Sequence, residues 1–483
     1  MNSEAKHETG VKIPGSAPRA GALDALRGYA ILTMVLSDTE AFGILPSWMY
    51  HAQVPPPLHK FDPSIFGITW VDLVFPFFLF AMGAALPFSI GKKLSARSGI
   101  YKVILGALGR GVQLVFFAIY IQHIFTRVTG NPQDLKSCLI SLFAFGLMFP
   151  MFMRLPERLS LKVRTSIKCA AYLTGFVLLF NLNYSGNRSF NLENSDIIIL
   201  LLGNMAVFGS LAYILTFKNR LARIAILPFI MAIMLGSTSD SSWTHWLFNA
   251  TPFPWMYKFT YLKYLFIIIP GTIAGEYLIE WMKSELSPKK DMVAEKKIAW
   301  IIAALSILLI VTNLYGLYSR QLILNLILTT GLLASGVYLL NNRLDRNILL
   351  WKKLFSAGAY LLLLGLFFEA FEGGIRKDFS TYSYYFVTSG LAFIALTFFS
   401  VVCDFLKGDK YCRFLIQIGQ NPMIAYVCAG MVIIPILGIS GLSPFLALFD
   451  SGPWTGFLKG VIITLLVTLI TMFFTRIKWF WRT

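Results

Sequence analysis

The chain has 483 residues, of which 56% are hydrophobic and 14% are charged, and its mean hydropathy is +0.66. Soluble domains carry about 25% charged residues, so the composition excludes a soluble globular protein. Lys and Arg outnumber Asp and Glu by 42 to 24, which gives a formal net charge of +18. The basic residues fall in short loops between apolar segments, as in the cytoplasmic loops of membrane proteins. A nucleic-acid partner is therefore not expected.

Apolar segments of membrane-spanning length recur along the whole chain. A transmembrane helix needs about 17–25 mostly apolar residues, and two of the candidate segments, 138–153 and 221–237, are short. The sequence predicts an all-α, polytopic integral membrane bundle of about 11–14 transmembrane helices. Residues 1–20 are polar and are expected to form a flexible cytoplasmic tail, with a single transmembrane domain over 21–483. The candidate segments are 23–44, 68–90, 101–124, 138–153, 166–182, 196–217, 221–237, 261–282, 298–316, 322–340, 354–371, 383–404, 413–438 and 458–477.

Loops rich in Lys and Arg alternate with loops that carry little net charge. The positive-inside rule places the basic loops and both termini in the cytoplasm. The remaining loops are then expected to face the periplasm or lumen, and they are 45–67, 183–195, 238–260, 372–382 and 439–457.

The first candidate span carries charge at both ends. Asp24 and Arg27 are three residues apart, and Asp38 follows Arg27 by eleven residues, so the three side chains share nearly the same helix face. One interpretation is an Asp24–Arg27 ion pair at the headgroups with Asp38 at the opposite interface. The other is a polar face directed at a cavity within the bundle.

The next loop and the start of the second span contain further candidates. The loop holds two of the five histidines, His51 and His59, either of which is a general base near neutral pH or a simply solvated side chain. Asp72 is followed four residues later by Pro76, which has no N–H for the Asp72 carbonyl. A kink there would turn Asp72 inward, whereas the alternative is that its carboxylate caps the helix.

Motifs of soluble enzymes and metal-type Cys/His spacings are absent from the sequence, so no metal site is expected. The remaining polar residues in or near the spans are expected to lie at interfaces or to pack between helices. They are Arg110, Glu276, Glu369, Glu372 and Asn421, which precedes Pro422.

Five motifs occur together: LDALRG (23–28), HAQ (51–53), WVDLVFPFFLFAMG (70–83), IGQNPMIAYV (418–427) and the tail KWFWRT (478–483). In combination they resemble the heparan-α-glucosaminide N-acetyltransferase family and its bacterial relatives. The resemblance implies that 21–483 is a transmembrane acyltransferase domain. It would take an acetyl group from cytoplasmic acetyl-CoA and deliver it to an amino sugar or a glycan hydroxyl on the periplasmic or luminal side.

The resemblance also implies the catalytic residues. His51, in its HAQ context, is the counterpart of the family's active-site histidine. The inserted segment VPPPLHKFDPSIF (54–66) keeps His59 as an alternative. Asp72 falls on a matching motif position, whereas family members often carry Asn where this chain has Asp38. Asp38 or Asp72 would orient the imidazole and stabilise its protonated form.

Two residues are expected to bind the acetyl donor. Arg27 lies at the cytoplasmic end of the first span, where the phosphates of acetyl-CoA would need a cation. Asn421 falls on a matching motif position and would hydrogen-bond CoA or the tetrahedral oxyanion. The expected partners are the lipid bilayer, the acceptor and, for a homodimer, a second copy of the chain.

Two other functions fit the intramembrane charges. A secondary transporter for a small sugar or anion would use Asp38, Asp72 and Glu369 as proton-coupling sites. A membrane scaffold without catalysis would explain the apolar composition, but it gives no reason for the charged face of the first span.

Overall fold

The computed structural model describes residues 20–40, 43–96, 99–130, 134–182, 184, 189–284, 292–341, 345–406 and 408–482. The predicted tail therefore lies outside the described residues except for Ala20. The helices that form the bundle are α1 (Gly21–Thr39), α2 (Trp70–Leu86), α3 (Ile100–Ile124), α4 (Leu135–Phe152), α5 (Leu161–Asn181), α6 (Ile197–Leu215), α7 (Arg220–Gly236), α8 (Leu265–Lys283), α9 (Met292–Tyr318), α10 (Leu322–Leu340), α11 (Arg346–Glu372), α12 (Tyr382–Phe399), α13 (Asp409–Gly419), α14 (Pro422–Cys428) and α15 (Pro453–Arg476).

Shorter helical segments connect or extend these helices. Three π-helical turns continue α2, α12 and α14, at Pro87–Gly91, Ser400–Phe405 and Ala429–Ile433. The other short segments are Ser47–Met49, Lys92–Ser95, Thr126–Thr129, Trp243–Asn249, Phe259–Tyr264, Ile434–Ile439, Ser443–Ala447 and Leu448–Ser451.

Twelve helical stretches of the described chain are long and apolar enough to cross a membrane. This confirms the predicted all-α polytopic bundle. The predicted spans 23–44 and 221–237 correspond to helices α1 and α7, which are not among these twelve. Helix α1 carries Asp24, Arg27 and Asp38, which lower its hydropathy, and α7 has 17 residues. The predicted span 413–438 is wrong as a continuous helix, because the chain leaves helical geometry at Asn421 and restarts with Pro422 as the first residue of α14.

The centre of the bundle is formed by α2 and α12, which pack against each other and against both α1 and α8. The candidate span that contains α12, Tyr382–Phe405, is 89% buried, whereas Leu161–Asn181 is 17% buried. Lipid tails are as apolar as leucine side chains, so helices at the periphery of a membrane bundle can leave apolar side chains exposed. The gradient of burial fits a bundle surrounded by lipid.

Glycines allow α1 to approach α13 very closely. A Cβ atom built on Gly28 would lie 1.9 Å from the Leu415 carbonyl oxygen, and one built on Gly419 would lie 1.9 Å from the Asp24 carbonyl oxygen. Only a residue without a Cβ fits at either position. This contact fixes the position of α1, whose other end carries the candidate site.

Candidate functional site

His51 lies against the first turn of α2. Its Nδ1 is 2.7 Å from Oδ1 of Asp72, whose side chain is 2% exposed. A carboxylate only accepts hydrogen bonds, so Nδ1 carries the proton of this bond and Nε2 of a neutral imidazole is left with a lone pair. The geometry therefore produces an oriented imidazole whose Nε2 can act as an acceptor.

The second carboxylate oxygen of Asp72 is held by the backbone. Oδ2 accepts hydrogen bonds from the N–H of Thr69 at 2.9 Å and from the N–H of Ala52 at 3.2 Å. The bond from Thr69 is half of a capping box at the start of α2. The two interpretations of Asp72 from sequence are thus compatible, because one oxygen caps the helix while the other binds His51.

Pro76 lies inside α2. Because Pro76 has no N–H, the Asp72 carbonyl lacks its usual donor four residues further along the helix. The hydroxyl of Tyr384, in the first turn of α12, donates to this carbonyl at 2.8 Å. Tyr384 is 1% exposed, so the central helix α12 fixes the backbone that carries Asp72.

Lys377 is a third charged group at the imidazole. It lies in the loop between α11 and α12, and its Nζ is 3.0 Å from Nδ1 and 3.3 Å from Nε2 of His51. The same Nζ is 4.0 Å from Oδ1 of Asp72. A charged ammonium group therefore lies beside the nitrogen of His51 that can accept a proton. Sequence reasoning missed this residue, and the only signal was the Arg-Lys-Asp run at 376–378 in a loop expected to carry little net charge.

Hydrogen bonds hold the loop of Lys377 against the loop of His51. The Gln53 side chain donates to the carbonyl of Asp378 at 3.1 Å and accepts from its N–H at 2.8 Å. The N–H of Gly67 donates to the carbonyl of Ile375 at 2.8 Å. Loops 45–67 and 372–382, which the charge pattern assigned to one side of the membrane, therefore meet at one end of the bundle.

His51 and Lys377 line a cavity of about 540 Å³, called the His51 cavity below. Its wall also includes Asp38 and Glu40 from the end of α1 and Asp196 at the start of α6. Asp72 lies behind His51 and is not part of the lining. The cavity is within the size range of small-molecule sites, and it combines an imidazole, an ammonium group and three carboxyl groups.

The family described as "Domain of unknown function (DUF5009)" matches residues 19–278. The chain belongs to this family. The matched region contains His51, Asp72 and the cavity residues of α1 and α6, but it ends before Lys377. No curated protein matches the chain.

The structure places His59 outside the His51 cavity. His59 is half-buried and its ring meets the Tyr50 ring edge-on, with 4.7 Å between the ring centroids. Its backbone φ of 45° lies in the left-handed region. Of the two candidate histidines, only His51 contacts Asp72 and lines the cavity.

Arg27 and Asn421 also lie away from the His51 cavity. Arg27 pairs with Asp24 at 3.2 Å and donates to the Gly419 carbonyl at 3.0 Å, which joins α1 to α13. The buried Asn421 side chain donates to the Trp479 carbonyl at 2.8 Å and accepts from the Trp481 N–H at 3.3 Å. In the structure both side chains connect segments of the bundle, and their expected contacts with acetyl-CoA remain predictions.

Glu40 is a cavity residue that sequence reasoning did not single out. It directly follows α1 and is 7% exposed, and neither carboxyl oxygen has a hydrogen-bond partner among the described residues. Burial raises the pKa of Glu40 to about 8, because an ionised carboxyl group without donors is costly away from water. The direction of this change favours the protonated form of Glu40. No signal in the sequence distinguishes it from an ordinary interfacial glutamate.

Proposed function

We propose that the protein is a membrane-embedded acetyltransferase that moves the acetyl group of acetyl-CoA to an amino sugar or a glycan hydroxyl, with His51 as the reacting group. The main support is the 2.7 Å bond between His51 Nδ1 and the buried Asp72, at the wall of a cavity. A buried carboxylate bound to an imidazole whose second nitrogen faces a cavity is part of the arrangement used in acyl transfer. The motif resemblance supplies the identity of the donor and the class of the acceptor.

In this mechanism His51 transfers one proton. Nε2 takes the proton from the N–H or O–H group of the acceptor. At the same time the lone pair of the acceptor nitrogen or oxygen attacks the thioester carbonyl carbon. When the tetrahedral intermediate collapses, the C–S bond breaks and Nε2 returns the proton to the sulfur, which leaves as the CoA thiol. Asp72 stabilises the positive charge that the imidazole carries between these steps.

Lys377 supports the same reaction through its charge. Its Nζ lies 3.3 Å from Nε2 of His51, so a thioester carbonyl oxygen directed towards Lys377 during attack beside Nε2 would be close to the ammonium group. Negative charge develops on that oxygen in the tetrahedral intermediate, and a fixed cation stabilises it. We assign Lys377 this role in the proposed reaction.

A covalent route uses the same groups. Nε2 would attack the thioester directly, CoA would leave as the thiolate, and the acetyl-imidazole would then be attacked by the acceptor. Direct transfer requires both substrates in the cavity at once, whereas the covalent route releases CoA before the acceptor binds. Initial-rate kinetics separate the two, because only the covalent route gives a ping-pong pattern.

The test uses the purified full-length protein in detergent with acetyl-labelled CoA and glucosamine. We expect labelled N-acetylglucosamine from the wild type and from His59→Ala, which is the matched control, and none from His51→Ala. A panel of amino sugars and glycans extends the assay to hydroxyl acceptors. If no acceptor is acetylated and CoA does not bind, the acetyltransferase proposal is wrong. CoA-independent sugar uptake by proteoliposomes would then favour a transporter.

A further inference from the structure

A second cavity lies at the opposite end of α2 from His51. Its volume is about 970 Å³, and it is lined by the π-helical turn after α2, by the turn between α6 and α7, and by the end of α8. The continuous helical stretch Trp70–Ser95 has 26 residues, which corresponds to about 39 Å. The second cavity is therefore separate from the His51 cavity. The charge pattern predicts that it lies on the cytoplasmic side.

The two carboxylates of this cavity are occupied by neighbouring cations. Glu276 accepts from Arg220 at 2.5 Å and from Arg223 at 2.9 Å. Glu280 accepts from Lys353 at 2.7 Å and also from Arg220. Arg223 is fully buried and lies over the Tyr213 ring, 4.4 Å from its centroid. This network pairs both acidic groups of the cavity with cations.

Three further cations line the same cavity. Lys92, Lys218 and Lys283 have no carboxylate partner among the residues that the structure describes. We call the site the lysine cavity. An ammonium group on a flexible chain is a common ligand of phosphate. The apolar side chains of the wall are Pro87, Phe88, Phe217, Leu221, Ile279 and Met282, and Gly91, Ser95, Tyr213 and Asn219 complete it.

The backbone at the lysine cavity departs from regular geometry in two places. Lys218 has a φ of 67°, in the left-handed region that L-residues other than Asn and Asp rarely adopt. The π-helical turn Pro87–Gly91 forms another part of the wall. Strained residues and π-helical turns occur preferentially at functional sites. Both irregularities adjoin the three lysines and the apolar wall.

We propose that the lysine cavity binds a phosphate-bearing amphiphile. The phosphate would contact Lys92, Lys218 and Lys283, and the apolar part of the ligand would pack on Phe88 and Phe217. The ligand is an anionic phospholipid of the surrounding leaflet or a soluble phosphate ester with an apolar group. The apolar wall distinguishes this site from a surface that attracts anions only through charge. The proposal does not depend on acyl transfer at His51.

The experiment compares two triple variants of the full-length protein by native mass spectrometry in detergent. Lys92→Ala, Lys218→Ala and Lys283→Ala are combined in the site variant. Arg154→Ala, Arg164→Ala and Lys168→Ala form the control, because these residues line another cavity, of about 790 Å³, on the same predicted side. Both variants lose three positive charges, and the charges are removed from different cavities.

The probes are phosphatidylglycerol, phosphatidylcholine and ADP. We expect the wild type to prefer phosphatidylglycerol, the site variant to bind it at least about tenfold more weakly, and the control to bind it like the wild type. A triple Lys→Arg variant at the site keeps the charge and should retain binding, which separates loss of the site from loss of folding. If ADP binds and displaces the lipid, the soluble phosphate ester is the ligand class. If ADP does not compete with the lipid, the ligand class is the phospholipid.

Three results would overturn the proposal. The first is equal weakening of phosphatidylglycerol binding in the site variant and in the control, which would show a general charge effect. The second is equal affinity for phosphatidylcholine and phosphatidylglycerol in the wild type. The third is that the site variant binds each of the three probes as strongly as the wild type does, or that no probe binds at all.

Discussion

Replacing Glu40 with Gln tests the protonation state of the buried carboxyl group at the His51 cavity. Burial raises the pKa of Glu40 from 4.5 to about 8. Between these two values the folded protein keeps a proton that the unfolded chain releases, so the free energy of unfolding falls as the pH rises. Glu40→Gln keeps the shape of the side chain and cannot ionise. Its free energy of unfolding therefore does not show this fall with pH.

The size of the effect follows from the difference between the two pKa values, which is about 3.5. At about 1.36 kcal/mol per pH unit the wild type loses about 5 kcal/mol relative to Glu40→Gln between pH 4.5 and pH 8. Above pH 8 the difference stays constant, because Glu40 is then ionised in both the folded and the unfolded state. The contribution of Glu40 to stability is therefore greatest in acid and is lost as the pH rises through this window.

The assay is the apparent unfolding temperature in detergent, followed by tryptophan fluorescence from pH 5 to pH 9. We expect the curve of Glu40→Gln to rise progressively above that of the wild type up to about pH 8. Glu193→Gln is the matched control, because Glu193 is exposed and its replacement should leave the pH dependence unchanged. A difference between Glu40→Gln and wild type that does not vary with pH would refute the reasoning.

Three further substitutions test the site and the packing. Asp72→Asn should lower the rate of acetyl transfer by roughly a thousandfold or more, because it removes the group that orients His51, and a loss below about tenfold would contradict that role. Lys377→Met should lower kcat by about a hundredfold or more, and Lys377→Arg should restore part of it; an unchanged kcat in Lys377→Met would exclude Lys377 from the reaction. Gly28→Ala should lower the apparent unfolding temperature, because its Cβ would lie 1.9 Å from the Leu415 carbonyl oxygen, a clash that costs about 1–3 kcal/mol or more. In the control Gly106→Ala no described atom beyond the two chain neighbours and the adjacent backbone of its own helix lies within 4 Å of the new Cβ, so the unfolding temperature should not fall.

Most of the fold could be predicted from apolar segment length, because a membrane helix must satisfy its backbone hydrogen bonds internally. Apolar segment length is a poorer guide where ion pairs or proline determine whether a helix forms or ends. Helix α1 keeps its central position although it carries three charged residues, since Arg27 pairs with Asp24 and bonds to α13. The apolar segment 413–438 contains a break at Asn421, because Pro422 favours the first position of a new helix.

The candidate site was only partly predictable for a different reason. His51 and Asp72 lie in neighbouring motifs, so their proximity could be anticipated from the sequence. Lys377 is 326 residues from His51 and Tyr384 is 312 residues from Asp72. Which residues meet over such separations depends on how helices pack, and hydrophobic periodicity carries no information about it. The raised pKa of Glu40 could not be predicted from the sequence either, because it depends on the residues that bury the carboxyl group.

Helix α2 begins at one cavity and continues into the other. Its first turn holds the carboxylate that binds His51, and its π-helical extension forms part of the lysine cavity. A shift of α2 along its axis would alter both ends together, although Pro76 and the π-helical turn interrupt its regular hydrogen bonding. Any coupling of this kind is reciprocal: a ligand in the lysine cavity would change acceptor affinity beside His51 by the same factor as the acceptor changes the affinity of that ligand. Such coupling would link the occupancy of the lysine cavity to acceptor binding at the other end of the same helix.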